Sequence, residues 1–238
     1  MLILALDTTS MNLSCAITKD GKCLAEFSLF TEATHSERLL SLISDTLRAT
    51  NLDIADMDYY ACSVGPGSFT GLRIGLSTIK GLAYANNKRI AAVSSLDALS
   101  ENVQFSDYDI CPMIDARKGE VFTAFYKRKK GGLPFYQSIK SKTDEINVTP
   151  DTLFNMVKRK TIFLGNGALL YKDALKSKLE DKVILMPYEM NFIKAFNVAK
   201  IGLSKIENGE TISPDELLPV YIRESDAEIN YKKRTAKK

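Results

Sequence analysis

Three glycines fall within seven residues of the segment Val64-Gly-Pro-Gly-Ser-Phe-Thr-Gly-Leu-Arg-Ile-Gly75, between a strand-like run (Tyr59 to Val64) and a helix-like run from about Phe69 to Ala85. So tight a passage from strand to helix belongs to a mixed α/β fold. It leaves backbone N–H groups free at a helix N-terminus, where an anion can sit. The segment is not a P-loop: Leu72 and Arg73 follow Gly71, where a phosphate-gripping lysine and a magnesium-binding hydroxyl would stand. Close packing at Gly71 and Gly75 accounts for the glycines as well as anion binding does.

Around this turn the chain reads as strands at Leu2 to Asp7, Leu13 to Thr18 and Cys23 to Leu29, with Lys19-Asp-Gly-Lys22 as a hairpin turn between the last two. A helix follows from about Ser36 to Arg48, with Thr34 and Glu37 at capping-box spacing and Leu39, Leu40, Ile43 and Leu47 as one stripe. From Ile110 the same order recurs: strands Ile110 to Asp115, Val121 to Tyr126 and Leu133 to Lys140, helix Asp151 to Arg159, strand Ile162 to Leu164, helix Ala168 to Leu179. A strand at Ile90 to Val93 and a helix after Ser94-Ser95 lie between the halves. A last helix, about Phe192 to Ile206, precedes Pro214. The pattern predicts two α/β lobes of βββαβα type meeting at a cleft. Residues 1–105 form the first, with 212–223 packing back onto it; 106–211 form the second, and 224–238 a basic tail.

The 32 basic and 29 acidic side chains give a net charge of +3, but five of the basic residues lie in the last seven positions. Without those five the balance is −2, and without the four at 127–130 as well it is −6. The basic character thus comes from two short runs, read either as a solvated hairpin tip and loose tail or as contacts to RNA phosphates. Cys15, Cys23, Cys62 and Cys111 show no C-x-x-C pair, and three lie inside apolar runs, which suits a reducing, cytoplasmic compartment. The apolar opening Met1 to Leu6 meets Asp7 too soon for a signal peptide or a membrane span.

Candidate cleft residues are Asp7 and Thr8, where a carboxylate and a hydroxyl end the first strand; Gly67 and Ser68 in the long glycine turn; Asp115 and Arg117; and Gly165 and Gly167 in a second glycine turn. The loop after Asp7 contains no glycine for close approach to phosphate, which weakens a nucleotide reading. His35 is the sole histidine, so two-histidine zinc sites and histidine-based triads with a second histidine are excluded. No catalytic residue and no metal site is expected.

Taken together, Leu4-Ala-Leu-Asp-Thr-Thr9, the Ser63 to Gly75 segment, Ser94-Ser-Leu-Asp97, Met113-Ile-Asp-Ala-Arg117, Gly165-Asn-Gly-Ala168 and Pro219-Val-Tyr-Ile-Arg223 resemble the bacterial TsaB family, also called YeaZ, over almost the whole chain. The resemblance implies an actin-like, Hsp70-like ATPase (ASKHA) fold. It implies a non-catalytic partner of the paralogue TsaD, which transfers a threonylcarbamoyl group to N6 of adenosine in tRNAs reading codons that begin with A. The ATPase TsaE joins the complex, tRNA is met through it, and the chain self-associates as a homodimer when alone. It also implies no cofactor of the chain's own, with ATP or ADP at the complex interface. The catalytic paralogue holds metal through an H-x-x-x-H pair on its first helix, and the matching positions here are His35 and Leu39.

In that family the first two helices meet the paralogue's equivalent pair. The expected interface is His35, Leu39, Leu42, Ile43, Phe69, Leu72, Arg73, Leu76 and Lys80, with Leu72→Glu or Leu76→Glu expected to break the heterodimer and leave a folded monomer. Two other readings stay open: a self-sufficient ATPase or small-molecule kinase of the same fold, resting on Asp7 and the glycine turns, and a tRNA-binding module resting on the basic runs.

Overall fold

A computed structural model describes residues 1–30, 35–128 and 139–223, the side chains of 35–37 and 139–141 excepted. The first unit opens with the hairpin strands β1 (Leu2–Asp7), β2 (Asn12–Lys19) and β3 (Lys22–Phe30). Asp20 and Gly21, both at positive φ, make the two-residue turn between β2 and β3. Then come α1 (His35–Thr50), β4 (Tyr59–Gly65), α2 (Phe69–Ala85), β5 (Ile90–Ser94) and α3 (Ser95–Ser100). The strands order as β3-β2-β1-β4-β5, antiparallel within the hairpins and parallel from β1 through β4 to β5. The expected cap at Thr34 lies outside the described residues.

The second unit comprises β6 (Asp109–Arg117), β7 (Glu120–Thr123), β8 (Tyr126–Arg128), β9 (Ile139–Lys142), β10 (Ile146–Val148), α4 (Pro150–Met156), β11 (Thr161–Leu164), α5 (Asn166–Leu170), α6 (Lys172–Leu179) and β12 (Val183–Leu185). Its order β10-β7-β6-β11-β12 repeats the first sheet's, and β8 and β9 extend it beside β6. Two expectations are corrected. The strand foreseen at Val121 to Tyr126 is two pieces in one register, Met113 facing Thr123 and Ile110 facing Tyr126. That register puts Pro112 opposite Ala124, in the gap. Pro112 brings no N–H to the ladder, and Thr123 Oγ1 donates to its carbonyl at 2.8 Å. The third strand of this sheet is Ile146–Val148 and not Leu133 to Lys140; β9 covers only the end of that stretch and pairs with β8, and 133–138 lie outside the described residues.

Three apolar layers hold the molecule together. The inner faces of α1 and α2 pack on the first sheet through Leu39, Leu42, Ile43, Leu76 and Ile79 against Leu4, Leu6, Leu13 and Ile17. α4, α5 and α6 cover the second sheet through Leu153, Phe154, Ala168 and Leu175. Between the sheets lies the third layer, with α3 and α7 (Ala195–Glu207) at its centre. α7 packs on β1, β2, β4 and β5, so the second unit does not run to residue 211 as expected; its final helix covers the open face of the first sheet. Gly202 permits this, since a Cβ there would stand 2.8 Å from Ala61 Cβ. The chain after α7 meets the first unit by the Ile90–Ile212 bridge and by Val220 N–H donating to the Val64 carbonyl at 2.8 Å, and Arg223 reaches the second unit.

The basic run at 127–130 is only partly solvated. Arg128 is buried, its guanidinium paired with Glu101 at 2.5 Å and donating to the carbonyls of Ser100 and Val103. Lys200 of α7 meets the other oxygen of Glu101 at 2.8 Å. Glu101, at the end of α3, therefore ties β8 and α7 together through Arg128 and Lys200. Lys127 is exposed; 129, 130 and the basic tail lie outside the described residues.

Candidate cleft and the faces of the first two helices

A cavity of about 800 Å³ opens between the two units. Its walls are the turn after β1 (Thr9, Ser10, Met11), the start of α2 with the turn before it (Pro66 to Thr70, Leu72, Arg73), the end of β6 (Ile114 to Arg117) with Phe122, Asn166 and Leu170 of α5, and residues 220–223. Of the expected cleft residues, Gly67, Ser68, Asp115 and Arg117 line it. Asp7, Thr8, Gly165 and Gly167 do not.

Packing is the reason for each exclusion. Asp7 is 1% exposed and accepts a hydrogen bond from Thr9 Oγ1 at 2.8 Å. Thr8 Oγ1 donates to the Gly71 carbonyl at 2.7 Å. Gly165, at φ +107°, lies so tightly on the Met113 carbonyl that a side chain would collide with it, and a Cβ at Gly167 would stand 2.9 Å from the same oxygen.

The long glycine turn is likewise spent inside the chain. A Cβ at Gly67 would stand 2.5 Å from the Thr9 carbonyl oxygen, and Ser68 N–H donates to that oxygen at 2.7 Å. Ser68 Oγ caps α2 by accepting from Gly71 N–H at 3.3 Å. A nucleotide of the kind an actin-like ATPase fold implies needs donors turned into the cleft. Here the Ser68 amide and the hydroxyls of Thr8 and Thr9 are turned to protein acceptors, so these residues do not fit a phosphate-gripping loop.

On the opposite wall, Asp115 Oδ1 accepts from Arg117 N–H at 2.8 Å, and Oδ2 pairs with the Arg117 guanidinium at 3.4 Å. Asn166 Oδ1 accepts from Asp115 N–H at 3.0 Å. Lys118 and Gly119, at φ +56° and +79°, form the hairpin turn. The hydrogen bond from Asn147, together with Arg223, holds the Glu120 carboxyl below the usual glutamate range. The wall is a salt-bridged hairpin whose turn end borders the cavity.

The residues expected at a partner interface separate into two groups. Leu39, Leu42, Ile43, Leu72 and Leu76 are all under 8% exposed. They are buried within this chain: the sheet beneath α1 and α2 takes Leu39, Leu42, Ile43 and Leu76, while Leu72 packs by Gly65 at the cavity wall. Arg73 is exposed, Phe69 and Lys80 are half-buried, and the His35 side chain lies outside the described residues. The outer face carries residues outside the expected interface set: Leu40, placed by the sequence in the apolar stripe of the first helix, at 63% and Tyr84 at 72% exposure, with Ser77 and Gly81 between Arg73 and Tyr84. Tyr221 and Arg223, which line the cavity, were legible only as part of the Pro219 to Arg223 motif.

Comparison with known proteins decides the family. A family model described as TsaD, tRNA N6-adenosine threonylcarbamoyltransferase, matches residues 30–231. The tRNA threonylcarbamoyladenosine biosynthesis protein TsaB of Bacillus subtilis (strain 168) is 30% identical over 97% of this chain and 98% of its own length. The chain belongs to the TsaB family. TsaB of Escherichia coli (strain K12) is 28% identical over 95% of this chain and 96% of its own. YeaZ from Pseudomonas aeruginosa shares the fold, with a TM-score of 0.74 at 23% identity over 92% of this chain and 99% of that one. The activator of 2-hydroxyisocaproyl-CoA dehydratase from Clostridium difficile, solved with bound ADPNP, superposes with a TM-score of 0.50 at 10% identity, covering 88% of this chain and 97% of its own. The fold is therefore the actin-like, Hsp70-like ATPase type, and the TsaB relatives implicate the chain in tRNA threonylcarbamoyladenosine biosynthesis, alongside TsaD-type proteins. Among the described residues no helix is long and apolar enough to cross a membrane.

Proposed function

We propose that this chain is the non-catalytic partner of a TsaD-type paralogue, a scaffold that presents the outer faces of α1 and α2 to the paralogue's equivalent helices. The paralogue transfers the threonylcarbamoyl group to N6 of adenosine in tRNAs reading codons that begin with A. TsaE joins the assembly, tRNA is met through it, and the same face pairs two copies of the chain when the paralogue is absent. ATP or ADP belongs to the interface of the complex and not to this chain's cleft, where the Thr9 hydroxyl and the Ser68 hydroxyl and amide are committed to internal hydrogen bonds. A cytoplasmic setting accompanies this role.

The observation that carries the reading is Gly81. It lies within α2 on an exposed face, and a Cβ there would meet nothing within 4 Å. A glycine inside a helix costs about 1 kcal/mol relative to alanine, and among the described residues no neighbour within 4 Å of the missing Cβ repays it. Close approach of another helix does, with Ser77 one turn before it and Leu40 and Tyr84 supplying apolar area. Leu39 supports the non-catalytic part: at the second position of the paralogue's metal-binding pair stands a side chain 1% exposed, spent on the core.

Reconstitution tests the proposal. The TsaD-type paralogue of the same organism, supplied with the threonylcarbamoyl donor, TsaE and tRNA, should modify adenosine only when this chain is present. Ser77→Arg should abolish both co-elution and modification. Full activity without the chain, or ATP hydrolysis by the chain alone that Asp7→Ala removes, overturns the reading.

A further inference from the structure

Residues 217–223 form a strap across the mouth of the cleft. Leu217 is buried at 1% exposure in the layer shared by the first sheet with α1 and α2, and the Val220 amide is fastened to Val64. The backbone contact is close: Gly65, at φ +119°, faces the Val220 carbonyl so nearly that a Cβ would stand 2.6 Å from its oxygen. The Tyr221 ring stacks on Phe69 with centroids 4.3 Å apart and planes 8° from parallel. The Arg73 guanidinium lies 4.5 Å from the Phe69 ring centre, with its Nε donating to Tyr221 Oη at 3.4 Å. Two residues on, Arg223 crosses to the second unit and pairs with Glu120 at 3.2 Å.

A segment held this firmly would be expected to bury its apolar side chains, yet Leu218, Val220 and Tyr221 are 67%, 47% and 41% exposed. Apolar and aromatic groups fixed in place before binding lose little freedom when covered, which is what an interface core requires. The patch is continuous with the helical face, because Arg73 belongs both to the outer stripe of α2 and to the Tyr221 stack.

We propose that the paralogue seated on α2 also covers Leu218, Val220 and Tyr221, and through this strap grips both units of the chain at once. The inference rests on the helical reading above and adds a second contact area to it. The half-buried Arg223–Glu120 pair and the donation from Arg223 to the Arg117 carbonyl are the strap's ties to the second unit, so a partner seated on the strap touches the first unit directly and the second through Arg223.

The test is a titration of purified chain with the purified TsaD-type paralogue of the same organism, using Leu218→Glu and Ser77→Arg, with a thermal melt of each variant. Leu218→Glu should raise Kd at least tenfold at unchanged Tm, and Ser77→Arg should abolish binding. Wild-type affinity for Leu218→Glu overturns the strap contact, and loss of binding by Ser77→Arg in that same experiment leaves the helical reading standing. Wild-type affinity for both variants overturns both. Should Leu218→Glu not fold, hydrogen exchange in the wild type decides: slower exchange at the Val220 and Tyr221 amides in the complex supports the proposal, and unchanged rates overturn it.

Discussion

The hydroxyl of Thr8 occupies the place where a side chain at Gly75 would begin, so the end of β1 and the second turn of α2 touch with no atom to spare. The same hydroxyl donates to the Gly71 carbonyl at 2.7 Å, fixing α2 to the sheet. Gly75→Ala should therefore cost about 1–3 kcal/mol by overpacking, measured by urea denaturation. Thr8→Ala in the same chain should recover part of that loss, since it removes the colliding oxygen. Strict additivity of the two changes would show that the contact is not the cause.

Arg128 sits in the interior with Glu101, and removing one member of such a pair strands the other. Arg128→Ala should lower stability by about 3–5 kcal/mol. Lys127→Ala, next in sequence and exposed, should stay within about 0.5 kcal/mol of wild type. Similar losses from both changes in chemical denaturation would contradict the burial of Arg128.

Leu72 and Leu40 lie on opposite sides of the helical layer, and a glutamate separates them. Leu72→Glu places a charge in the core and should yield unfolded or aggregated protein by circular dichroism. Leu40→Glu should fold normally and lose the partner. Gly81→Ala should raise the stability of the free chain by about 0.5–1 kcal/mol while weakening the complex. A stable, monomeric Leu72→Glu would return that side chain to the surface.

Burial pushes the thiols of Cys15, Cys62 and Cys111 up to about 12, leaving almost no thiolate at neutral pH, whereas Cys23 is exposed. Ellman's reagent at pH 8 should label one thiol in the native protein and four after denaturation. Rapid native labelling of more than one would contradict the packing of the three buried strands that carry the others.

The apolar run of β1 and the glycine turn before α2 were readable because each follows from local chemistry: five successive apolar residues, Leu2 to Leu6, that call for cover, and a turn that only glycine permits. Leu39 and Leu72 were readable as apolar but not as core. A helical stripe says that a face is covered and leaves open whether a sheet of the same chain or another molecule covers it. Ile146–Val148 escaped for a different reason, since three residues are too few to show a period and their pairing with β7 is settled across the sheet. The Tyr221–Phe69 stack joins residues far apart in sequence, and only the fold brings them together. The assignment of Asp7 and Thr8 to the cleft failed because strand-end polarity does not reveal that both side chains turn inward.

The placement of α7 bears on the order in which the chain is made. Ribosomal synthesis delivers β1, β2, β4 and β5 long before Ala195 to Glu207, so the first sheet waits with one apolar face bare while the whole second unit is translated. A nascent chain halted before Ala195 should bind a holdase chaperone and be cut readily by protease within β1 to β5, and release past Glu207 should end both.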